Sequence, residues 1–193
     1  MPFEFEHCNI EGLVVVTPKV FGDNRGFFLE TYSKKAFAEG GIVAEFVQDN
    51  HSKSKRGVLR GLHFQKRKAQ GKLVRVTAGR VLDVAVDLRR HSPTFGKWKS
   101  VELSAENKKM FYIPEGFAHG FLTLEDNTEF QYKCTDDYAP EYDSGILWND
   151  SDVNIDWKFA EYGLTEADLD FSEKDKKQQT FRCFVESGEE IRK

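Results

Sequence analysis

The chain has 193 residues, 39% of them hydrophobic and 31% charged, enough apolar content for one packed domain and too much for wholesale disorder. Its formal charge is −4, with no basic excess to suit nucleic acid. No apolar run approaches the ~18 residues of a membrane span, and the acidic opening MPFEFEHCNIEG is no signal peptide.

In chain order the signals are those of short strands. LVVVTPKV (13–20) and GFFLETY (26–32) flank the turn-rich GDNR. Ser33 is placed to cap a short helix, KKAFAEGG, which Gly40-Gly41 ends. KLVRVTAGRVLDVAVDLR (72–89) reads as a hairpin bending at Ala78-Gly79. In its second arm Leu82, Val84, Val86 and Leu88 share one face, and Val81, Asp83, Ala85 and Asp87 share the other. KSVELSAENKKMFYIP (99–114) continues the pattern, and GFLTLEDNTEFQYKCT (120–135) reads as a second hairpin turning at Asp126-Asn127. Thr165, with Asp168 three residues on, forms a variant capping box before another short helical stretch. The charged tail from about Lys176 is expected on the surface or loose. Many short, turn-punctuated strands predict a mainly β fold, an antiparallel sandwich or barrel, with few helices. No linker or repeat divides the chain, so a single domain over 1–193 is expected. Cys8, Cys134 and Cys183 are odd in number and widely spaced, which implies neither a disulfide framework nor a metal pair and fits a reducing cytoplasm.

Two stretches break the apolar pattern. In VLRGLHFQ (58–65) both faces of a strand are mostly apolar, yet Arg60 and His63 sit among them on opposite faces. Gly61 is a natural place for a bulge that brings the two to one side. The strand-like segments also contain Gln48, Asp49, Asn50, His51, Lys72, Asp83, His119, Tyr132 and Tyr138. Unpartnered buried charges are expensive, so this many polar groups point to a polar cavity inside a barrel. The second stretch, YIPEGFAHGFLTLED (112–126), contains P-x-G-x-x-H, half of the second motif of the cupin barrels. Metal-binding cupins also need two histidines two apart. Here His63 is followed by Gln65, so no metal set is supplied and none is expected.

PKVFGDNRGFFLETY, FVQDNHSKSKRGVLRGLHFQ, AQGKLVRV, DVAVDLRRHSPTFGKW, IPEGFAHGF and SGILWNDSD together resemble the dTDP-4-dehydrorhamnose 3,5-epimerase family, from about Val16 to Asp175. The resemblance implies a cupin-type jelly-roll barrel. It implies conversion of dTDP-4-dehydro-6-deoxy-D-glucose to dTDP-4-dehydro-L-rhamnose, with both carbons beside the C4 ketone inverted and no cofactor. Such a site needs a base on one face of the ring, an acid on the other and a group for the enolate oxygen.

His63, in R-G-L-H-F, matches the family's base, with Asp175 of S-x-K-D as its partner. Tyr132 matches the acid and Lys72 the cation near the sugar, with Asp83 on the neighbouring arm placed to hold Lys72. Arg25 and Arg60 match diphosphate ligands. Glu30, Gln48, Asp49, Asn50, His119 and Lys174 match other substrate contacts, and His51 stands beside them. Tyr138 matches the tyrosine stacked on thymine. Asp143 stands where the family often has Glu, with Glu141 nearby, and the choice between them is open. Family members are homodimers, commonly with an exchanged N-terminal strand, for which LVVVTPKV is the candidate. Other readings stay open. They are an epimerase acting at one carbon, a metal-dependent cupin and a non-catalytic nucleotide-sugar binding module.

Overall fold

The alternation along residues 81–88 becomes two buried faces. Leu82, Val84, Val86 and Leu88 enter one core and Val81 and Ala85 another, as a strand sandwiched between layers requires. The chain is described by a computed structural model covering residues 2–193. Its first strands are β1 (Phe3–His7), β2 (Val14–Pro18), β3 (Phe21–Asp23), β4 (Gly26–Phe28), β5 (Gln48–Ser54) and β6 (Leu59–Gln65). Then come β7 (Lys72–Ala78), β8 (Arg80–Asp87), β9 (Trp98–Ser104), β10 (Met110–Ile113), β11 (Phe117–Thr123), β12 (Thr128–Cys134) and β13 (Asp143–Gly145). One sheet has the order β1-β2-β10-β7-β12-β5 and the facing one β13-β6-β11-β8-β9, all pairs antiparallel. From β5 to β13 every connection except β8–β9 changes sheet, which is a jelly roll.

Three apolar layers hold it together. Val74, Phe111 and Phe130 of the six-stranded sheet meet Val81, Phe117 and Phe121 of the other between the sheets. Phe3 of β1 and Phe37 of helix α1 (Lys34–Glu39) cover Val16, Leu73 and Met110 on the outer face of the six-stranded sheet. As expected, the Ser33 hydroxyl accepts from Ala36 N, and the helix stops at Gly40. The outer face of the five-stranded sheet is covered by the chain after Gly145, through Trp157, Leu164 and Phe184. Thr165 and Asp168 form the expected capping box, but over a single 3-10 turn.

Several expected elements differ. Residues 72–89 are not a hairpin. A hydrogen-bonded hairpin needs at least two loop residues, and only Gly79, at φ +72°, separates β7 from β8. The chain therefore turns a corner into the other sheet. Residues 120–135 also reverse without pairing, because β11 lies between β6 and β8 while β12 lies between β7 and β5. GDNR joins a separate small hairpin, β3 with β4, because β2 ends at Pro18. The tail is docked. Helix α2 (Phe181–Glu186) buries Phe184 completely, and Arg90 donates to the carbonyls of Phe184, Val185 and Glu189 at 2.6–3.1 Å. Arg192 exchanges backbone hydrogen bonds with Lys66 and Ala69. β2 lies between β1 and β10 of its own chain. Among the described residues no helix is long and apolar enough to cross a membrane, and the three cysteines are free.

Candidate active site

The polar groups of β6 are gathered by a bulge. His119 faces His63 and Phe121 faces Arg60, so Gly61 and Leu62 together oppose the single residue Gly120. Gly61 has φ +124°, and a Cβ there would lie 2.6 Å from Gly120 Cα and 2.8 Å from the His119 carbonyl. Only glycine allows that approach. With one extra residue between them, Arg60 and His63 both line a cavity of about 370 Å³ at one end of the space between the sheets.

The two sheets furnish opposite walls. Arg60, His63 and His119 come from the five-stranded sheet, Lys72 and Tyr132 from the six-stranded one, and Asn50 and His51 from its edge strand β5. Facing sheets stand ~10 Å apart, room for one sugar ring. His63 Nε2 lies 2.5 Å from Asp175 Oδ1. Ser172 Oγ donates to the other carboxylate oxygen at 2.7 Å and accepts from Asp175 N at 3.1 Å. Burial alone would raise the Asp175 pKa, but His63 and Ser172 hold it below its ordinary value. The parallel bridges Val58–Asp170 and Ile146–Gln179 tie this C-terminal segment to the barrel. With Nε2–H donating to Asp175, His63 keeps its Nδ1 lone pair to accept a proton.

Lys72 and Tyr132 are different. Among the described residues neither the Lys72 ammonium nor the Tyr132 hydroxyl has a hydrogen-bonding or ion-pair partner, although Lys72 is only 9% exposed. Burial pushes the Lys72 pKa down and that of Tyr132 up, with Arg60 opposing the rise at Tyr132. Arg60 donates to Ser54 Oγ at 3.2–3.3 Å, and no carboxylate among the described residues pairs with it. The expected Asp83–Lys72 contact is replaced. Both Asp83 oxygens instead sit on His119 Nε2, at 2.9 and 3.1 Å, because β8 pairs with β11 and not with β7.

At the mouth Tyr138 is 55% exposed, and its hydroxyl donates to Asp143 at 2.9 Å. Lys174 closes an ion pair on the same carboxylate. Asp143 lines the cavity and Glu141 does not. Gln48 accepts from Tyr138 N at 2.8 Å and donates to Asn50 at 2.9 Å, so it holds the mouth loop and lies outside the wall. Gln65 does likewise. Its Nε2 donates to the carbonyls of Lys68 and Asp137, and its Oε1 accepts from Ala139 N. The position that is a histidine in metal-binding cupins is thus committed to loop backbone.

Three expected contacts lie elsewhere in the single chain. Asp49 pairs with Lys133 at 2.9 Å in a second hollow of about 400 Å³, on the sheet face that carries Leu73 and Met110. Arg25 sits on the exposed β3–β4 hairpin, bound to Asp23 at 2.6 Å, and Glu30 is exposed just beyond it. Sequence reasoning passed over Ser172 and Gln65 as working residues. Ser172 stands three residues before Asp175, a common spacing for a turn-closing hydroxyl and its only local signal.

A jelly-roll barrel with a His–Asp dyad on one wall and a free Tyr and Lys on the other defines a cupin-type protein with acid–base groups placed across a sugar-sized cavity. Comparison with known proteins makes this more specific. The family model described as dTDP-4-dehydrorhamnose 3,5-epimerase matches residues 7–182, and the chain belongs to that family. The Pseudomonas aeruginosa enzyme of that name is 56% identical over 179 residues, covering 91% of this chain and 96% of its own. The Methanothermobacter thermautotrophicus enzyme is 52% identical over 180 residues, covering 93% and 95%. The crystal structure of the Legionella pneumophila epimerase in complex with dTDP-4-keto-L-rhamnose superposes with a TM-score of 0.90 at 45% identity, covering 99% of this chain and 98% of that one.

Proposed function

We propose that this chain converts dTDP-4-dehydro-6-deoxy-D-glucose to dTDP-4-dehydro-L-rhamnose by inverting C3 and C5. One observation carries the reading: His63 and Tyr132 project into one cavity from opposite sheets. Inversion needs a proton removed from one face and returned to the other, which a single group cannot do. His63 Nδ1 takes the proton, and Asp175 steadies the imidazolium that forms. The ketone oxygen becomes an enolate beside the Lys72 ammonium. Tyr132 then delivers a proton from the opposite wall, and exchange with water resets both groups. The substrate's own ketone acidifies the two C–H bonds, so the scheme draws on no cofactor. The absence of a carboxylate on Arg60 suits it to the diphosphate. Tyr138 at the mouth offers an open ring to thymine, and Asn50, His119 and Lys174 surround the remainder.

The reading includes a cytoplasmic homodimer. Its support is the β3–β4 hairpin, where Phe21, Phe27 and Phe28 are 51–66% exposed beside Arg25, an apolar surface that a second copy would cover.

Proton NMR in heavy water tests the chemistry. With dTDP-4-keto-6-deoxyglucose, deuterium is expected at both C3 and C5, and a downstream reductase is expected to trap the rhamno product. Deuterium at one carbon only would make the chain a single-site epimerase. No exchange at either would leave a nucleotide-sugar binding protein.

A further inference from the structure

One fully buried charge in the cavity wall has no task in this scheme. Asp83 is wholly inaccessible, and among the described residues His119 is its only side-chain partner. The near-equal distances to His119 Nε2 are those of one N–H shared by two carboxylate oxygens. Nε2 therefore carries the proton, and Nδ1 is the free nitrogen of His119. Burial lowers the His119 pKa against the pull of Asp83, so the ring is neutral at pH 7.

Lys72 is the complementary case, a buried ammonium with no bonded partner. Beyond desolvation, its proton is favoured by Cys134, Asp83 and Asp143. Burial raises the Cys134 thiol above its ordinary value, so it carries no charge at neutral pH. Asp143 already holds Lys174 and the Tyr138 hydroxyl. Of the other groups that face this space, Arg60 is cationic, His119 and Tyr132 are neutral, and Asp175 is bound to His63. That leaves Asp83. Burial pushes the Asp83 pKa up and the Lys72 pKa down, while His119 and Lys72 oppose the rise at Asp83 and Asp83 opposes the fall at Lys72, so each charge of the pair is held against desolvation by its neighbours.

We propose that Asp83 is a positioning residue: its carboxylate is the counter-charge that keeps Lys72 an ammonium for the enolate oxygen, while it locks His119 with Nδ1 toward the sugar. The proposal rests on the epimerase reading above. The sign follows from the charges. Removing the anion leaves desolvation less opposed, so Lys72 loses its proton at a lower pH.

The test is the pH profile of kcat/KM for the wild type, Asp83→Asn and His119→Asn. For Asp83→Asn the alkaline limb should move down by about one pH unit or more, and kcat should fall roughly tenfold or more, with dTDP still bound. His119→Asn leaves the Asp83 charge beside Lys72, so its alkaline limb should stay in place. A limb unmoved in Asp83→Asn, or moved equally in both variants, overturns the proposal. Should Asp83→Asn fail to fold, wild-type protein labelled with 13Cε-lysine answers the question, with the Lys72 signal identified by its loss in Lys72→Arg. Lys72 should remain charged past neutrality, and a midpoint below about pH 7 overturns the proposal. That titration needs no turnover, so it stands apart from a failure of the epimerase reading, which would show as no ring-proton exchange in the wild type.

Discussion

At the scale of single residues the cavity assigns separable tasks. His63→Ala should reduce exchange of the sugar's ring protons by about 10²–10⁴-fold while dTDP affinity is kept. NMR exchange rates and calorimetry measure the two independently, and normal turnover in that variant would refute the mechanism. Tyr132→Phe should still wash deuterium into C3 and C5 but fail to invert them, because the base wall is intact and the acid wall is empty. Asp175 adds a pH dependence of stability. Burial raises its pKa, but His63 and Ser172 outweigh burial and hold it below 3.8. The stability it lends is present above about pH 4 and lost as acid protonates the folded carboxyl. Thermal melts of wild type and Asp175→Asn should converge as pH falls through that range.

At the scale of elements the site depends on segments that touch no substrate. The Gln65 side chain anchors the loop of Tyr138 through two hydrogen bonds, to Asp137 and Ala139, and the loop after β6 through a third, to Lys68. Gln65→Leu removes them at roughly 1 kcal/mol each and should raise KM about tenfold or more with kcat little changed. A matching loss of kcat would show that the loop serves the chemistry as well as the grip. Helix α2 packs Phe184 against Phe64 on the strand that carries His63, with ring centroids 5.5 Å apart. Phe184→Ala should cost about 3–5 kcal/mol in chemical denaturation, as for other buried aromatics cut to alanine.

At the scale of the whole molecule, Arg25 and Glu30 lie on a hairpin outside the cavity of their own chain. We propose that in a dimer they serve the partner's site. Arg25→Ala and His63→Ala proteins, each impaired alone, should then regain activity when refolded together, because a mixed dimer contains one site with His63 and Arg25 both intact. No recovery would place Arg25 with the site of its own chain or outside the reaction. Sedimentation of the unmixed variants checks that both remain dimers.

Local patterns determined much of this protein. Alternating apolar residues along 81–88 specify a strand buried on both faces, and Ser33 with Gly40 bounds α1, because side-chain direction and capping depend on near neighbours. Gly61 announced the bulge that unites Arg60 and His63, since a glycine amid large side chains marks a close backbone approach. Sheet membership was not legible. Ala78-Gly79 and Asp126-Asn127 encode a reversal of the chain but not which strand each arm will pair with, a matter of competition among all the strands. The Asp83–His119 pair, the Gln65 anchor and the docked tail are decided there too. They join residues 36, 74 and 95 positions apart in the chain, and only the packing of the two sheets brings them together. Asp175 shows both sides. It reads as one charge in a solvated run, and it becomes the partner of His63 because the C-terminal segment folds back along β6.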